Sequence, residues 1–308
     1  MSSLAIVIPA YKAEFLGAAL ESLVAQTNKD FKVYVGDDAS PEGIGDIVAG
    51  FSDKLDIEYH RFTENLGGKN LIGQWERCVE LCSDEEWVWL FSDDDVMQEN
   101  CVEEFYKCEK SGVDIVHFNI NIIDKKGQLA QECPAFPDGM KSGEFFEALF
   151  RRQIVARMPE FVFRREFLMD KGFVNFDLAW RSDTASVMSA ALAGGIKSID
   201  GARVLWRASD ANISALTSLM KRKNVVNVQF FNWADAFFKE NGISLGMSRA
   251  YLLKTIVFAL EYRGLGGFLS DGTSAALQLT FAKNIWYKLL TFMFVLYRIP
   301  YRFFELRR

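Results

Sequence analysis

Histidine is scarce in this sequence, and its scarcity excludes several classes of active site. The 308 residues include 2 histidines, His60 and His117, which lie far apart in the chain. Both fall inside predicted strands, where we expect sheet residues rather than ligands. So few imidazoles argue against a histidine-based triad and against a zinc hydrolase.

The 5 cysteines form no C-x-x-C pair, and their number is odd. Cys78 and Cys82 are four residues apart on a predicted helix, so they share a face without forming a metal site. These features predict reduced thiols in a cytosolic protein rather than a disulfide framework. The other three cysteines are Cys101, Cys108 and Cys133.

Long apolar runs are also missing. The first residues, MSSLAIVIPAY, lack a basic leader region and contain a short apolar run, which predicts a buried strand rather than a signal peptide. No stretch reaches the roughly 18–20 apolar residues that span a bilayer. The nearest is Leu289–Tyr297, which is too short and lies between Lys288 and Arg298. We therefore expect a cytoplasmic protein that contacts the inner face of the cell membrane peripherally, if it contacts a membrane at all.

The net charge of −6 is unevenly distributed along the chain. From Ile213 to Arg308 there are 13 lysines and arginines against 5 acidic residues, whereas residues 1–212 carry 22 against 36. An acidic body argues against nucleic acid as a partner. A basic end favours an anionic lipid surface or another anionic partner.

The last residues combine aromatic, aliphatic and basic side chains. Residues 285–308 read IWYKLLTFMFVLYRIPYRFFELRR, and six basic residues from Lys283 onward face one acidic residue, Glu305. An interfacial helix with snorkelling cations has this composition. It would suit an enzyme with a lipid-linked acceptor. A core helix with a basic end, or a dimer contact, remains an open alternative.

Strands and helices alternate over the first 95 residues. Apolar or alternating runs predict strands at Leu4–Ile8, Phe31–Val35, Ile57–Phe62 and Glu86–Phe91, with helices between them at about 14–26, 43–52 and 69–82. This order predicts an α/β fold with a doubly wound, mostly parallel sheet. Further along, strands are predicted at 114–123, 160–164 and 198–206, and helices at 142–152 and 182–193.

We divide the chain at about residue 215, beyond which the pattern is almost entirely helical and aromatic. Residues 1–215 form the predicted catalytic domain, with a nucleotide-binding half at 1–100 and an acceptor half at 101–215. Residues 216–308 form a helical C-terminal region. No repeat or low-complexity linker marks the boundary, so its position is approximate.

Three predicted strands end in residues that suit ligand binding. Tyr11 follows the first, Asp37 and Asp38 close the second, and Ser92–Asp95 follow the fourth. In doubly wound sheets, ligands bind at the carboxyl ends of the strands. Three consecutive aspartates repel one another unless a cation relieves them, and their hard oxygen ligands favour Mg²⁺ or Mn²⁺. A nucleoside diphosphate fits this set, although a solvated turn that caps a helix at about Gln98 is the alternative.

Four segments, in order, resemble the successive blocks of family 2 glycosyltransferases, which have the GT-A fold. They read IVIPAYKAEFLGAALESLVAQT, FKVYVGDDASPEG, ENLGG and EWVWLFSDDD. Their order and spacing match over roughly residues 4–100, and a weaker match continues to about 215. The resemblance implies a Rossmann-like, mostly parallel sheet with flanking helices, followed by a helical C-terminal region.

The resemblance also implies roles for residues at the first two strand ends. Pro9, Ala10 and Tyr11 match the segment that lines the nucleotide pocket. Asp38 matches the acidic residue that contacts the base, with Asp37 beside it.

The aspartate cluster matches the DxD region, which meets the ribose and the metal ion. Asp93 is assigned to the nucleotide and the metal, and Asp94 and Asp95 to the metal. Many relatives read D-x-D-D, so Ser92 would occupy the first acidic place, and the main metal ligand stays open between Asp94 and Asp95. The asparagine that usually follows the first-strand tyrosine is Lys12 here.

Downstream, the segment FDLAWRSDTASVMSAALAGG resembles the block that carries the catalytic base. Asp183 takes the place of the base, and Ser182 is the expected N-cap of the following helix; a role limited to stabilising the helix dipole is the alternative for Asp183. LWRASDANIS resembles the segment that closes over the donor phosphates, which makes Arg207 a phosphate candidate or a structural ion-pair residue. Lys69, after Gly67–Gly68, is a weaker phosphate candidate.

These assignments predict a metal-dependent glycosyltransferase with a nucleoside-diphosphate-sugar donor and a glycan or lipid-linked acceptor. The resemblance implies inversion at the anomeric carbon and a role in cell-surface polysaccharide synthesis. One alternative is a sugar nucleotidyltransferase, which would be expected to carry a glycine-rich basic loop after the first strand that IPAYKAE lacks. A non-catalytic nucleotide-sugar-binding protein is the other.

Overall fold

The computed structural model describes residues 3–209 and 212–259, together with positions 278, 279, 286, 288–290, 293 and 294. Nine strands in this part of the chain form one mixed sheet. They are Leu4–Ala10 (β1), Lys32–Asp37 (β2), Ile57–Arg61 (β3), Trp87–Leu90 (β4), Val96–Met97 (β5), Ile115–Ile123 (β6), Leu129–Glu132 (β7), Phe161–Arg164 (β8) and Lys197–Arg207 (β9).

Nine α-helices are described alongside the sheet. They are Leu16–Val24 (α1), Ile44–Ala49 (α2), Leu71–Val79 (α3), Cys101–Lys107 (α4), Ser142–Phe150 (α5), Arg165–Lys171 (α6), Ser182–Ala190 (α7), Met220–Glu240 (α8) and Arg249–Ala259 (α9). Short 3-10 helices occupy Met158–Glu160, Asp177–Ala179, Ile213–Ala215 and Thr217–Leu219.

The first half of the sheet is parallel, as the sequence pattern predicts. The strand order is β3-β2-β1-β4-β8-β6-β9-β5, with β7 paired to β6. β1 lies between β2 and β4, and its residues are almost all buried because helices cover both faces of the sheet. The carboxyl ends of β1, β2 and β4 therefore come together at one edge.

The second half of the sheet is mixed. β8 is antiparallel to both β4 and β6, while β6 and β9 run parallel over a long register that shifts between Phe118 and Asn119. β9 also pairs with β5, which follows the aspartate cluster directly. β8 thus joins the two halves of the sheet, and β9 links β6 to the short strand that follows the aspartate cluster.

Most predicted elements are present, and four short ones lacked a sequence signal. β5, α4, β7 and α6 are two to seven residues long, which is too short for a sustained hydrophobic pattern. Of these, only α4 had a counterpart in the sequence analysis, as the helix that a turn at about Gln98 would cap. Ser182 is not the N-cap that we expected for α7. Arg181 holds that position with a left-handed backbone, and the Ser182 hydroxyl accepts a hydrogen bond from the Phe176 N–H at 3.0 Å.

Two apolar cores lie on opposite faces of the sheet. One packs α1, α2 and α4 against β1 and its neighbours, and the other packs α3, α5, α7, α8 and α9 on the opposite face. Among the described residues, no helix is both long and apolar enough to cross a bilayer. Most of the basic, aromatic segment 285–308 lies outside the described residues.

Candidate functional site

The loops after β1 and β4 are joined by the first aspartate of the cluster. Asp93 Oδ2 accepts hydrogen bonds from the backbone N–H groups of Tyr11 and Lys12, each at 3.0 Å. The loop after β2 joins the same edge, because the Ser40 hydroxyl donates to the Tyr11 carbonyl at 2.5 Å. The Tyr11 ring remains 41% exposed, so its face is open to a stacking partner.

Pro9 and Ala10 form the end of β1 and bring the pocket segment into register with β2. Pro9 pairs with Gly36 and Ala10 with Asp37, and the Asp38 N–H donates to the Ala10 carbonyl at 2.9 Å. The structure therefore brings together the three strand ends that the sequence analysis singled out. Which of these atoms touches a nucleotide stays a prediction.

Asp37 is buried and organises the turn after β2. Its Oδ2 accepts hydrogen bonds from the Tyr59 hydroxyl and from Arg61 Nη1, both at 2.6 Å. Its Oδ1 accepts from the Ser40 N–H at 2.8 Å. Because its carboxylate accepts all three of these hydrogen bonds from within the protein, Asp37 holds the turn after β2 against β3.

Asp38 is also buried, and it orders the loop that contains Gly67 and Gly68. Its carboxylate accepts from the N–H groups of Leu66 and Gly67 at 2.7 and 2.8 Å and forms an ion pair with Arg77 at 2.6 Å. Removing one member of such a buried pair typically costs about 3–5 kcal/mol. Lys69 lies on this ordered loop with its side chain exposed.

The three clustered aspartates have different environments. Asp95 is fully buried, its Oδ1 accepts from the Arg207 N–H at 2.7 Å, and its Oδ2 has no hydrogen-bond partner among the described residues. Burial and the charge of Asp94 raise the pKa of Asp95 well above its ordinary value. Burial and the charge of Asp93 raise the pKa of Asp94 to about 6. Burial also raises the pKa of Asp93, opposed by the hydrogen bonds from Tyr11 and Lys12.

These environments fit a divalent cation. Neighbouring carboxylates with raised pKa values, one of which has a buried oxygen without a protein donor, are relieved by a cation. In the described part of the chain, no three acidic, cysteine or histidine side chains converge as a ready-made metal site. Mg²⁺-type sites commonly use one or two carboxylates and the phosphate oxygens of the substrate, so a protein cluster of three is not required. The alternative of a helix cap does not hold, since the side-chain bonds of Asp93 and Asp95 go to β1 and β9 rather than to α4.

Arg207 lies beside the cluster, but its side chain is buried and engaged. Its Nε donates to the Asp94 carbonyl at 2.8 Å, and its Nη1 donates to the carbonyls of Asp124 and Lys125 at 3.1 and 3.2 Å. Its guanidinium carbon also lies 4.6 Å from the centre of the Phe15 ring. These contacts make Arg207 a link between the end of β9, the aspartate cluster and the turn after β6.

Asp183 lies in the first turn of α7, as expected. It is partly exposed, and its Oδ1 accepts from the N–H and the hydroxyl of Thr184 at 2.7 and 3.3 Å. The geometry leaves Asp183 Oδ2 available to accept a proton.

Glu160 is a residue that the sequence analysis missed. It is fully buried just before β8, the charges of both Asp183 and Asp95 act on it, and burial raises its pKa well above the ordinary value. His117 Nε2 lies 3.4 Å from its Oε1. The Glu160 side chain is thus buried in the sheet beside His117. A single glutamate before a short strand, in the segment RMPEFVF, carries no recognisable pattern.

Comparisons with known proteins agree with this geometry. The family model described as "Glycosyl transferase family 2" matches residues 5–169, which is more than half of the chain. The search of curated proteins gives no match.

Solved structures of low sequence identity share the fold. TarS 1-349 from S. aureus, in complex with UDP-GlcNAc, is 16% identical with a TM-score of 0.58, covering 94% of this chain and 90% of that one. The mannosyltransferase PcManGT from Pyrobaculum calidifontis, in complex with GDP-Man and Mn²⁺, is 15% identical with a TM-score of 0.54, covering 96% and 85%. GalNAc-T7 with UDP, GalNAc and Mn²⁺ is 10% identical with a TM-score of 0.51, covering 80% and 55%. The expected GT-A fold is confirmed.

Proposed function

The chain belongs to glycosyl transferase family 2 and is a glycosyltransferase, and from this premise we propose that it moves a sugar from a nucleoside diphosphate to an acceptor hydroxyl. The observation that carries the proposal is the meeting of three strand ends at one edge, where Asp93 binds the backbone after Tyr11. The similar structures of TarS and PcManGT hold UDP-GlcNAc and GDP-Man, which supports a donor of this class.

The proposed donor site lies across the ends of β1, β2 and β4. Tyr11 stacks on the base, Asp38 contacts it, and Asp37 holds the turn beside them. Asp93 faces the ribose and the diphosphate, while Lys69 and Arg207 contribute positive charge near the phosphates. The proposed roles of these two residues differ. Lys69 is exposed and can reach a ligand directly, whereas Arg207 is buried, bonds to the Asp94 carbonyl and contributes only its positive charge.

We assign a divalent cation, Mn²⁺ or Mg²⁺, to the aspartate cluster, with Asp94 as the principal ligand and Asp95 as the second. Asp94 is partly exposed, whereas Asp95 is buried and bonded to the Arg207 N–H. When bound, the cation would neutralise charge that develops on the leaving diphosphate. The Mn²⁺ in the structures of PcManGT and GalNAc-T7 supports this assignment.

Asp183 is the proposed general base. It accepts the proton of the acceptor hydroxyl as that oxygen bonds to the anomeric carbon, and the bond from that carbon to the diphosphate breaks. Attack from the face opposite the leaving group inverts the anomeric centre. Asp183 is partly exposed in the first turn of α7, so its carboxylate is accessible to an acceptor.

For the acceptor we propose a glycan or a lipid-linked sugar, in cell-surface polysaccharide synthesis at the inner face of the membrane. The basic composition of the C-terminal residues supports a surface with anionic lipid. Leu290 and Phe294 pack against the core, whereas Trp286, Leu289 and Met293 are exposed, so the apolar side chains of this segment do not all serve the core.

Product analysis with a panel of nucleotide sugars tests the proposed reaction. We expect release of nucleoside diphosphate that requires Mn²⁺ or Mg²⁺ and increases with a suitable acceptor. Pyrophosphate release would instead indicate a nucleotidyltransferase. Absence of both turnover and metal-dependent nucleotide binding would contradict the proposal and favour a non-catalytic protein.

A further inference from the structure

The loop that precedes Asp183 has an unfavourable backbone. Leu178, Ala179 and Arg181 have φ values of 63°, 50° and 68°, in the left-handed region that residues with a Cβ rarely adopt. Such conformations persist where the surrounding structure fixes them, and they concentrate at functional sites. We call residues 176–181 the base loop. Contacts with α8 hold its backbone in this conformation.

One buried amide holds the last two residues of the base loop. The Asn227 side chain, 1% exposed on α8, accepts two hydrogen bonds at its Oδ1. Trp180 Nε1 donates at 3.2 Å and Arg181 Nε at 3.0 Å. A single oxygen therefore fixes two successive side chains, one of which belongs to a strained residue.

The same helix holds the rest of the base loop. Arg222 forms two hydrogen bonds with the Asp177 carboxylate, at 2.6 and 2.9 Å, and Lys223 Nζ lies 4.8 Å from the centre of the Trp180 ring. The Phe176 ring lies edge-on to Phe230 and Trp233, at 6.2 Å in each case. α8 thus contacts the first two and the last two residues of the base loop.

The connection from the base loop to the base is short. Arg181 is the N-cap of α7, and Asp183 is the second residue of that helix. The Ser182 hydroxyl closes the loop on itself through the Phe176 N–H, so the loop and the first turn of α7 form one unit. A change in the backbone at Arg181 would therefore reorient the Asp183 carboxylate.

We propose that Asn227 is a positioning residue for the glycosyl transfer, which acts by holding the base loop so that Asp183 faces the acceptor hydroxyl. This inference rests on the proposed role of Asp183 as the base. It gives the helical C-terminal region a part in the chemistry, although the family match ends at residue 169.

The first experiment compares substitutions of Asn227 in the full-length protein. Because small misplacements of a catalytic group cost about 100-fold in rate, we expect Asn227→Ala to lower kcat by about that factor. The affinity for the nucleoside diphosphate should not change, since Asn227 does not contact the strand ends. Asn227→Asp keeps an acceptor oxygen at the same position and should restore most of kcat. Asn232→Ala, on the same helix but away from the base loop, is the matched control.

A double substitution separates positioning from general stability. If Asn227 acts through Asp183, then adding Asn227→Ala to Asp183→Asn should not lower the residual transfer rate of Asp183→Asn any further, as measured by single-turnover transfer of labelled sugar at high enzyme concentration. An equal loss in both backgrounds, or wild-type kcat in Asn227→Ala, would overturn the inference. Should Asn227→Ala fail to fold, Trp180→Phe keeps an aromatic side chain but removes the indole N–H that donates to Asn227. It is expected to lower kcat as well, and an unchanged kcat would also overturn the inference.

The two proposals fail in different ways. Full activity of Asp183→Asn would refute the base assignment itself. An inactive Asp183→Asn together with a fully active Asn227→Ala would leave the base in place and refute only the positioning role.

Discussion

Asp93, Asp94 and Asp95 have identical side chains and three different surroundings. Asp93 is bonded to the backbone after β1, Asp95 to the backbone of Arg207, and Asp94 lies between them, partly exposed and with a pKa raised to about 6. Because each outer carboxylate has one oxygen bonded to the protein, the middle one is best placed for a ligand from solution. The sequence alone did not show which of Asp94 and Asp95 is the main metal ligand, since they are adjacent residues of the same type.

At this scale we predict that Asp94→Ala abolishes metal-dependent nucleotide binding and turnover while the protein stays folded. Asp95→Ala should abolish turnover and also lower stability, because the Arg207 N–H loses its buried acceptor. Titration calorimetry with UDP and GDP, with and without Mn²⁺, measures the first effect. Urea unfolding measures the second. Normal metal-dependent binding by Asp94→Ala would contradict the assignment of the principal ligand.

We also predict that Asp183→Asn keeps donor binding and loses transfer. The amide preserves the size of the side chain and its hydrogen bond to Thr184 but cannot accept the acceptor proton. Nucleotide affinity and the rate of sugar transfer are the two measurements. Asp170→Asn, which changes an exposed carboxylate on α6, is the control. A fully active Asp183→Asn would show that another group takes the proton.

At the scale of the secondary-structure element, the strands that could be predicted are those with a clear local pattern of apolar residues. The strands β1, β2 and β4 are short buried apolar runs followed by Tyr11, Asp38 and Asp93, so both the parallel half of the sheet and the meeting of these residues at one edge followed from the sequence. The mixed pairing of the second half did not, because strand direction in β6, β8 and β9 depends on contacts between residues far apart in the chain. The burial of Glu160 could not be predicted either, because it too depends on residues far apart in the chain.

The buried histidine of β6 gives this part of the sheet a pH dependence. Burial lowers the pKa of His117 to about 3, and its ring stacks on Phe136 with 3.9 Å between centroids. The unfolded chain takes up a proton near pH 6.5 and the folded protein does not, so stability is lost as pH falls below that value.

Between pH 7 and pH 5, we predict that His117 alone lowers the free energy of unfolding by about 2 kcal/mol. His117→Gln should remove this contribution, so its free energy of unfolding should change less between the two pH values than that of the wild type. Urea unfolding at both pH values provides the measurement. His60→Gln, on the exposed face of β3, controls for the loss of a histidine elsewhere. An equal change in the free energy of unfolding between the two pH values in wild type and His117→Gln would contradict the prediction.

At the scale of the whole molecule, the division at residue 215 stays a prediction. Side chains on both sides of that residue are nevertheless in contact. α8 begins at Met220, beyond the predicted boundary, and its side chains hold the base loop within the catalytic part. The periodic pattern of α8 predicts a helix without indicating which loop the helix supports. The C-terminal region is thus a structural component of the site.

The membrane proposal belongs to the same scale. We predict that deletion of residues 285–308 abolishes sedimentation of the protein with phosphatidylglycerol vesicles, because it removes most of the basic and aromatic side chains that would meet the lipid. Binding of the wild type should weaken as salt is added. Phosphatidylcholine vesicles provide the uncharged comparison.

A substitution variant avoids disturbing the core contacts of Leu290 and Phe294. Replacing Leu289 and Met293 with serine changes two exposed side chains and should weaken sedimentation while leaving thermal stability unchanged. If both altered proteins still sediment with anionic vesicles, this segment is not the membrane contact.

The bonds from Asp93 to the loop after β1 and from Asp95 to the end of β9 have a thermodynamic consequence. A loop that is already held at both sides has little conformational freedom left to lose when a diphosphate arrives. Donor affinity should then reflect the contacts formed, with little offset from ordering of the chain. The proposed donor site is thus preorganised for the ligand that we assign to it.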